Sequence, residues 1–213
     1  MVDELSNAAE AIATLRQLIA GSGPAFVIYD LEVTSWEGSL ARRWGGPGEF
    51  PEIIEIGAVK LTGAPGYTEF DSFSCLIRPT RNPILSNYIV SLTGITQEDV
   101  DARGIPFAEA LAAFARFVGA CRAFSNGLDD QWMAANCALH VMENPLPPAG
   151  LVNIGPQLRQ AIGWSGQVFS NELPGLLGQA NPGRPHEGLA DARAVAVAVR
   201  HVLATPISAV DAS

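Results

Sequence analysis

The stretch that most constrains this chain is Ala25-Phe26-Val27-Ile28-Tyr29-Asp30-Leu31-Glu32-Val33-Thr34. It begins as a continuous apolar run just after Gly23-Pro24, which predicts a buried central strand. Side chains alternate along a strand, so Asp30 and Glu32 share one face while Leu31 and Val33 take the other. Two carboxylates side by side repel each other and are costly to bury unless a positive charge stands between them. A divalent cation is the simplest such charge, and oxygen-only ligands suit magnesium or manganese better than zinc. The alternative is a strand running out into water, where an Asp-x-Glu costs nothing.

The 213 residues are 48% hydrophobic, enough for one sizeable core, so one domain is expected. Its core is expected over about residues 24–204, preceded by a helix over 7–19 and followed by a fraying tail over 205–213. A net charge of −9 argues against a broad basic surface that grips duplex phosphates. It does not argue against phosphodiester chemistry, because acids gathered around cations count toward that total and the ions reverse the local field. Cys75, Cys121 and Cys137 lie far apart with no Cys-x-x-Cys pairing, the pattern of reduced thiols in a cytoplasmic protein. Cys137 with His140 supplies only two of the ligands a zinc site needs. The opening residues carry Asp3 and Glu4 ahead of any apolar stretch and do not read as a secretion signal. The longest apolar runs fall short of a membrane span.

Taken in order, Asn7 to Ile19 predicts an amphipathic helix with an Ile12, Leu15, Leu18, Ile19 stripe. After the acidic strand comes a loop, Ser35 to Phe50, containing Trp36, Arg42, Arg43 and Trp44. Strands are then expected over Pro51–Leu61 and Phe70–Arg78, their short connections implying antiparallel pairing. Helices are expected over Leu85–Leu92, Pro106–Val118 and Leu128–Met142, with a short strand at Ala120–Ser125. Pro145-Leu146-Pro147-Pro148 reads as a rigid connection, Gly150–Ile154 as a last strand, and Gln157–Ile162 and Glu172–Leu177 as helices. Gly188 to Leu203 alternates like a strand at Ala194–Val199, yet its length and alanine content favour a helix. The whole predicts an α/β fold: a mixed sheet flanked by helices, with ligands at the strand ends where Asp30 and Glu32 lie.

Two later places supply further acids. Phe124-Ser125-Asn126-Gly127-Leu128-Asp129-Asp130 sits where a strand meets a helix, although an aspartate in a first helical turn is also a routine stabiliser. His186-Glu187-Gly188-Leu189-Ala190-Asp191 follows a Gly/Pro-rich loop and opens the last helix. Together, Asp-x-Glu on the first strand, an aspartate after Asn-Gly, and His-x4-Asp before the last helix resemble the DEDDh exonucleases. The likeness runs from about Phe26 to Val199. It includes Pro51-Glu52-Ile53-Ile54-Glu55-Ile56-Gly57, Arg78-Pro79-Thr80-Arg81-Asn82-Pro83, Leu92-Thr93-Gly94-Ile95-Thr96 and Gly183-Arg184-Pro185-His186. These segments look most like the KapD-like and histone-mRNA 3′-exonuclease branch.

The resemblance implies a ribonuclease H-like fold with five strands, three antiparallel and then two parallel. It implies removal of nucleotides from 3′ ends, most readily of single-stranded RNA, with two Mg2+ or Mn2+ ions. Asp30, Glu32, Asp130 and Asp191 would hold the metals and His186 would be the general base. Asp130 is preferred to Asp129 because the family places its aspartate four residues after the position that Asn126 matches. Thr34, Leu92, Thr93, Gly94 and Asn126 would meet the substrate. Two departures bear on substrate choice: the branch often has a tryptophan near Gly127, and the Ser35–Phe50 loop is long. A DNA-directed exonuclease and a catalytically inactive binding module are the alternatives. No membrane and no protein partner are implied.

Overall fold

The computed structural model describes residues 2–64, 66–146 and 150–206. Five strands form one sheet in the order β3-β2-β1-β4-β5. They are β1 (Ala25–Val33), β2 (Ile53–Thr62), β3 (Glu69–Leu76), β4 (Ala123–Ser125) and β5 (Leu151–Asn153). β1 pairs antiparallel with β2 and parallel with β4, while β2–β3 is antiparallel and β4–β5 parallel. This is the expected mixed sheet. β1 is its centre, hydrogen-bonded on both edges and buried along almost its whole length, as its apolar run requires.

The helices are α1 (Val2–Ala20), α2 (Asn87–Thr93), α3 (Gln97–Arg103), α4 (Phe107–Val118), α5 (Asp129–Leu139), α6 (Gly155–Ala161), α7 (Leu173–Leu176) and α8 (Gly188–Ala204). On one face of the sheet, Phe26 and Ile28 pack with α1, α6 and α8; on the other, Val27, Tyr29, Leu31 and Val33 pack with α4 and α5. The strand-like alternation in α8 has a simple cause. Ala194, Val195, Ala196, Ala198 and Val199 are all buried because α8 lies between the sheet and α1, α6 and α7, so nearly every side of it is apolar.

Three details differ from the sequence reading. α1 starts earlier than Asn7. α3, not anticipated, is nucleated by a capping box in which Thr96 and Asp99 satisfy each other's backbone N–H groups. β4 is shorter than Ala120–Ser125, since Gly119 to Arg122 form the turn out of α4. Pro147 and Pro148, in the proline connection, and the tail beyond residue 206 lie outside the described residues.

Two polar anchors hold the loops around this sheet. The buried Glu52 carboxylate accepts the backbone N–H groups of Thr80 (2.5 Å), Arg81 (2.9 Å) and Asn82 (2.9 Å), and the Thr80 hydroxyl. Asn136 on α5 accepts the Ile53 N–H at 3.0 Å and donates to the Pro51 carbonyl at 2.8 Å. Both fix the entry into β2.

Candidate active site

The carboxyl end of β1 opens into a cleft of about 1060 Å³. Asp30 and Glu32 reach its floor from the α8 face of β1. The turn into α8 brings His186 and Asp191 beside them, and the start of α5 adds Asp129.

The seat of α8 is set by glycine. A Cβ on Gly57 would lie 2.0 Å from the Gly188 carbonyl carbon, so only glycine lets β2 and the helix start approach so closely. Beside it the buried Glu55 carboxylate accepts the Gly188 N–H at 3.0 Å and the Ser74 hydroxyl at 3.1 Å. A carboxylate at a helix N-terminus is favourable there. His186 adopts a left-handed backbone (φ 59°), and its N–H donates to Asp191 Oδ2 at 3.1 Å. A histidine in the left-handed region, held by Asp191, is a costly arrangement of the kind found at working sites.

The acids fall into two subsets. Glu32, His186 and Asp191 each present a ligand atom within 4.8 Å of the others. Asp30 instead accepts the Ser170 hydroxyl at 2.9 Å, and its strongest charged neighbour is Asp129. Burial raises the Asp30 and Glu32 carboxyls well above the usual range, and their acidic neighbours add to this. Asp129 and Asp191 are each pushed up to about 7, chiefly by burial. Asp191 Oδ1 is buried with no hydrogen-bond partner. Oxygen donors crowded together, destabilised as anions and partly unpaired fit hard divalent cations. His186 is shifted the other way, lowered by burial and by the Arg184 guanidinium.

The structure separates Asp129 from Asp130. Asp129 is buried in the cleft wall, and its Oδ1 accepts the Leu31 N–H at 3.1 Å, which ties the start of α5 to β1. Asp130, the residue that spacing from Asn126 favours, does not line the cleft; its Oδ1 is buried without a partner. The helix begins at Asp129, so consecutive side chains turn about 100° apart and only one can face β1's end.

The expected substrate contacts also divide. Leu92 and Asn126 line the cleft. Thr34 does not: its buried hydroxyl donates to the Phe50 carbonyl at 2.7 Å and accepts the Glu52 N–H at 3.0 Å. The Thr93 hydroxyl is likewise spent on the Ile89 carbonyl, and Gly94 (φ 74°) closes α2 beneath Arg184. In the Ser35–Phe50 loop, Arg42 is paired with Glu49, while Trp36, Arg43 and Trp44 line the cleft. Trp44 packs edge-on against Trp132 and donates to the Thr34 carbonyl at 2.8 Å. Arg159 on α6, which the sequence reading did not single out, lines the cleft too.

The RNase_T exonuclease family profile matches residues 27–199. The chain belongs to the RNase T exonuclease family. Among its relatives, 3′-5′ exoribonuclease 1 of Homo sapiens is 32% identical over 190 residues, covering 81% of this chain and 51% of the relative. The Mus musculus protein of the same name is 30% identical with the same coverage. ERI1 exoribonuclease 2 of Mus musculus is 36% identical over 104 residues, 49% of this chain but 13% of the relative. The chain therefore spans at most about half the length of these relatives. The nuclease domain of 3′hExo, a DEDDh member solved bound to rAMP, superposes with a TM-score of 0.68 at 26% identity, covering 84% of this chain and 92% of that one. A 3′-exonuclease solved for its recognition of the histone mRNA stem-loop gives 0.71 at 27%, covering 84% and 64%. Exonuclease I, at 13% identity and 0.66, covering 88% and 42%, shares the fold. Among the described residues, no helix is long and apolar enough to cross a membrane.

Proposed function

We propose that this chain is a metal-dependent 3′-5′ exonuclease that trims single-stranded RNA from its 3′ end. The observation that carries this is the meeting of Asp30, Glu32, Asp129, Asp191 and His186 at one end of β1, in a cleft open to an incoming chain end. The exoribonuclease relatives support RNA as the substrate. The three unpaired thiols fit a reducing, cytoplasmic setting.

Glu32 and Asp191 would hold one cation with His186 close by, and Asp30 and Asp129 a second, Mg2+ or Mn2+ in each case. When bound, such a pair lowers the pKa of an attacking water and offsets charge on the phosphate oxygens. Here the two acid subsets support a count of two. Asp129 rather than Asp130 is the third acid of this reading, because it is the one that faces Asp30.

His186 accepts the proton of the attacking water. Burial and Arg184 keep its imidazole neutral, which leaves a ring nitrogen free as acceptor near neutral pH. The bond from His186 N–H to Asp191 Oδ2 fixes the backbone from which the ring projects. Leu92 and Asn126 line the place where the terminal nucleotide would sit; Thr34, Thr93 and Gly94 brace the backbone behind it.

The test is hydrolysis of 3′- and 5′-labelled single-stranded RNA, beside matched DNA, with magnesium, manganese or chelator. Mononucleotide release from the 3′ label, stopped by chelator and faster on RNA, is expected. Equal rates on DNA would remove the RNA assignment, and silence with both metals would make the chain a binding module.

A further inference from the structure

On the exonuclease reading the cleft accepts a polyanion, yet its floor is crowded with carboxylates. The cations available to the rest of an incoming strand are therefore informative. Among the described residues, two arginines line the cleft, Arg43 and Arg159. Arg43 is exposed on the Ser35–Phe50 loop, which also brings the half-buried Trp36 to the cleft. Arg159 differs: it is half-buried on α6, at the carboxyl ends of the parallel strands β4 and β5.

The setting of Arg159 is built, not incidental. A Cβ on Gly155 would lie 3.2 Å from an Arg159 guanidinium nitrogen, 3.0 Å from Asn153 Oδ1 and 2.6 Å from Asn126 Oδ1. Glycine at 155 thus leaves room for the guanidinium and two amide oxygens to gather around one spot, where Asn126 Oδ1 is buried without a hydrogen-bond partner. Asn126 is held by donating to the Val168 carbonyl at 3.1 Å, and Asn153 by accepting the Gly155 N–H at 2.9 Å. Asp30, Glu32, Asp129, Glu172 and Asp191 share the cleft, yet among the described residues no carboxylate lies within ion-pair distance of Arg159. A partly desolvated guanidinium without an anion is costly, and a phosphate relieves that cost with a bidentate match.

We propose that Arg159 binds a non-scissile phosphate of the substrate strand, opposite Arg43. The inference rests on the exonuclease reading above and deepens it. The cleft runs across the end of the sheet: Leu158, Arg159's neighbour, packs in the α8-side core, whereas Trp44, Arg43's neighbour, packs on the α5 side. One cation on each bank holds a flexible backbone over the acids without contacting the scissile phosphate. This gives affinity for a strand of several nucleotides and little for a single nucleotide.

The experiment measures kcat/KM on a short single-stranded RNA across a potassium chloride series, and on p-nitrophenyl thymidine 5′-monophosphate, whose one phosphate is the scissile one. Arg159→Gln is expected to lower kcat/KM on RNA about tenfold at low salt, the worth of one charge-assisted contact. The log–log salt slope should become shallower by about 0.7, the value for one phosphate contact on a single strand. The chromogenic ester should be cleaved as fast as by the unaltered chain, and Arg159→Lys should restore the slope. Arg116→Gln, an exposed change on α4, serves as control. An unchanged slope, or an equal fall on both substrates, overturns the proposal. Should the unaltered chain hydrolyse neither substrate, the exonuclease reading fails. The salt dependence of 5′-fluorescein RNA binding then decides on Arg159 by the same slope criterion.

Discussion

The two banks of the cleft are built by different means. On the α8 side, position is set at the backbone: Gly57 packs against Gly188, and the N–H groups of Gly188 and His186 are held by the Glu55 and Asp191 carboxylates. On the α5 side of the loop wall it comes from side chains meeting side chains: Trp44 on Trp132 and Arg42 with Glu49. Backbone contacts leave tolerances of tenths of an ångström, as a reacting geometry needs. Packed side chains allow substitution and repacking, which suits a wall that selects substrate. On the proposed reading, the first bank carries the chemistry and the second the choice of substrate.

The largest effects belong to the chemical bank. Asp30→Asn and Asp191→Asn should lower the rate on RNA by more than the roughly 10²–10⁴-fold expected for loss of the general base in His186→Ala. Single-turnover rates with saturating manganese measure this. If His186→Ala proved the more damaging, the carboxylates would not be holding the ions.

Next comes the acid on which spacing and geometry differ. Asp129→Asn should cost on the order of 10²–10³-fold, the range for removing one electrostatic stabiliser from a reacting site. Asp130→Asn should stay within about tenfold, as its carboxylate lies off the cleft. The reverse ranking would return the role to Asp130 and show that the start of α5 rotates when ions bind.

The seat of α8 can be attacked directly. Gly57→Ala places a methyl 2.0 Å from the Gly188 backbone, so either β2 or the helix must move. Overpacking of this kind costs about 1–3 kcal/mol. Thermal unfolding should fall by roughly 2–12 °C in a chain this size, and turnover should fall with it. A variant that loses stability but keeps full turnover would show that the reacting geometry does not depend on this contact.

The clustered acids also predict how stability follows pH. Asp129 and Asp191 keep their protons to higher pH in the folded chain than in the unfolded one. Their contribution is therefore complete below the ordinary aspartate value of 3.8 and is lost as pH rises through about 7. Without divalent ions, Tm should decline over that window. Manganese at about 100 times its Kd adds roughly 2.7 kcal/mol, which at pH 8 should raise Tm by about 5–11 °C. At pH 4.5 protons compete and the rise should nearly vanish. A manganese effect independent of pH would place the ion away from these acids.

Much of this could be read before any coordinates, and for a physical reason. β1's apolar run and the shared face of Asp30 and Glu32 follow from local alternation, and the glycine-rich approach to His186 from turn chemistry. The mixed five-stranded sheet and the family came from motifs that local rules preserve. Spacing along the chain could not say which of two adjacent aspartates faces inward, because that depends on where within a turn α5 begins. Nor could it find Arg159, whose guanidinium lies beside Gly155 and, among the described residues, has no carboxylate within ion-pair distance. Glu52 and Asn136 were hidden likewise: a buried polar side chain shows its role only through the backbone groups it satisfies. Thr34 and Thr93 show the converse, since their hydroxyls are consumed by neighbouring carbonyls.

The smallest expected effects separate the two tryptophans of the Ser35–Phe50 loop, which composition alone treats as equals. Trp44 is anchored at both ends of its indole, by its hydrogen bond to Thr34 and its contact with Trp132. Trp44→Ala should therefore act through stability, losing about 2 kcal/mol, less than a fully buried tryptophan costs. Such a loss lowers Tm by about 4–8 °C. Trp36 lies half-buried on the cleft wall, where a base can stack on it. Trp36→Ala should leave Tm within a degree or so and weaken single-stranded RNA binding by roughly tenfold, the lower part of the range for one base–aromatic stack. Thermal melts and binding isotherms on both variants test the pair. If Trp44→Ala weakened RNA binding without lowering Tm, this bank would be a contact surface throughout, and the contrast between a rigid chemical side and a packed selective side would have to be redrawn around the loop.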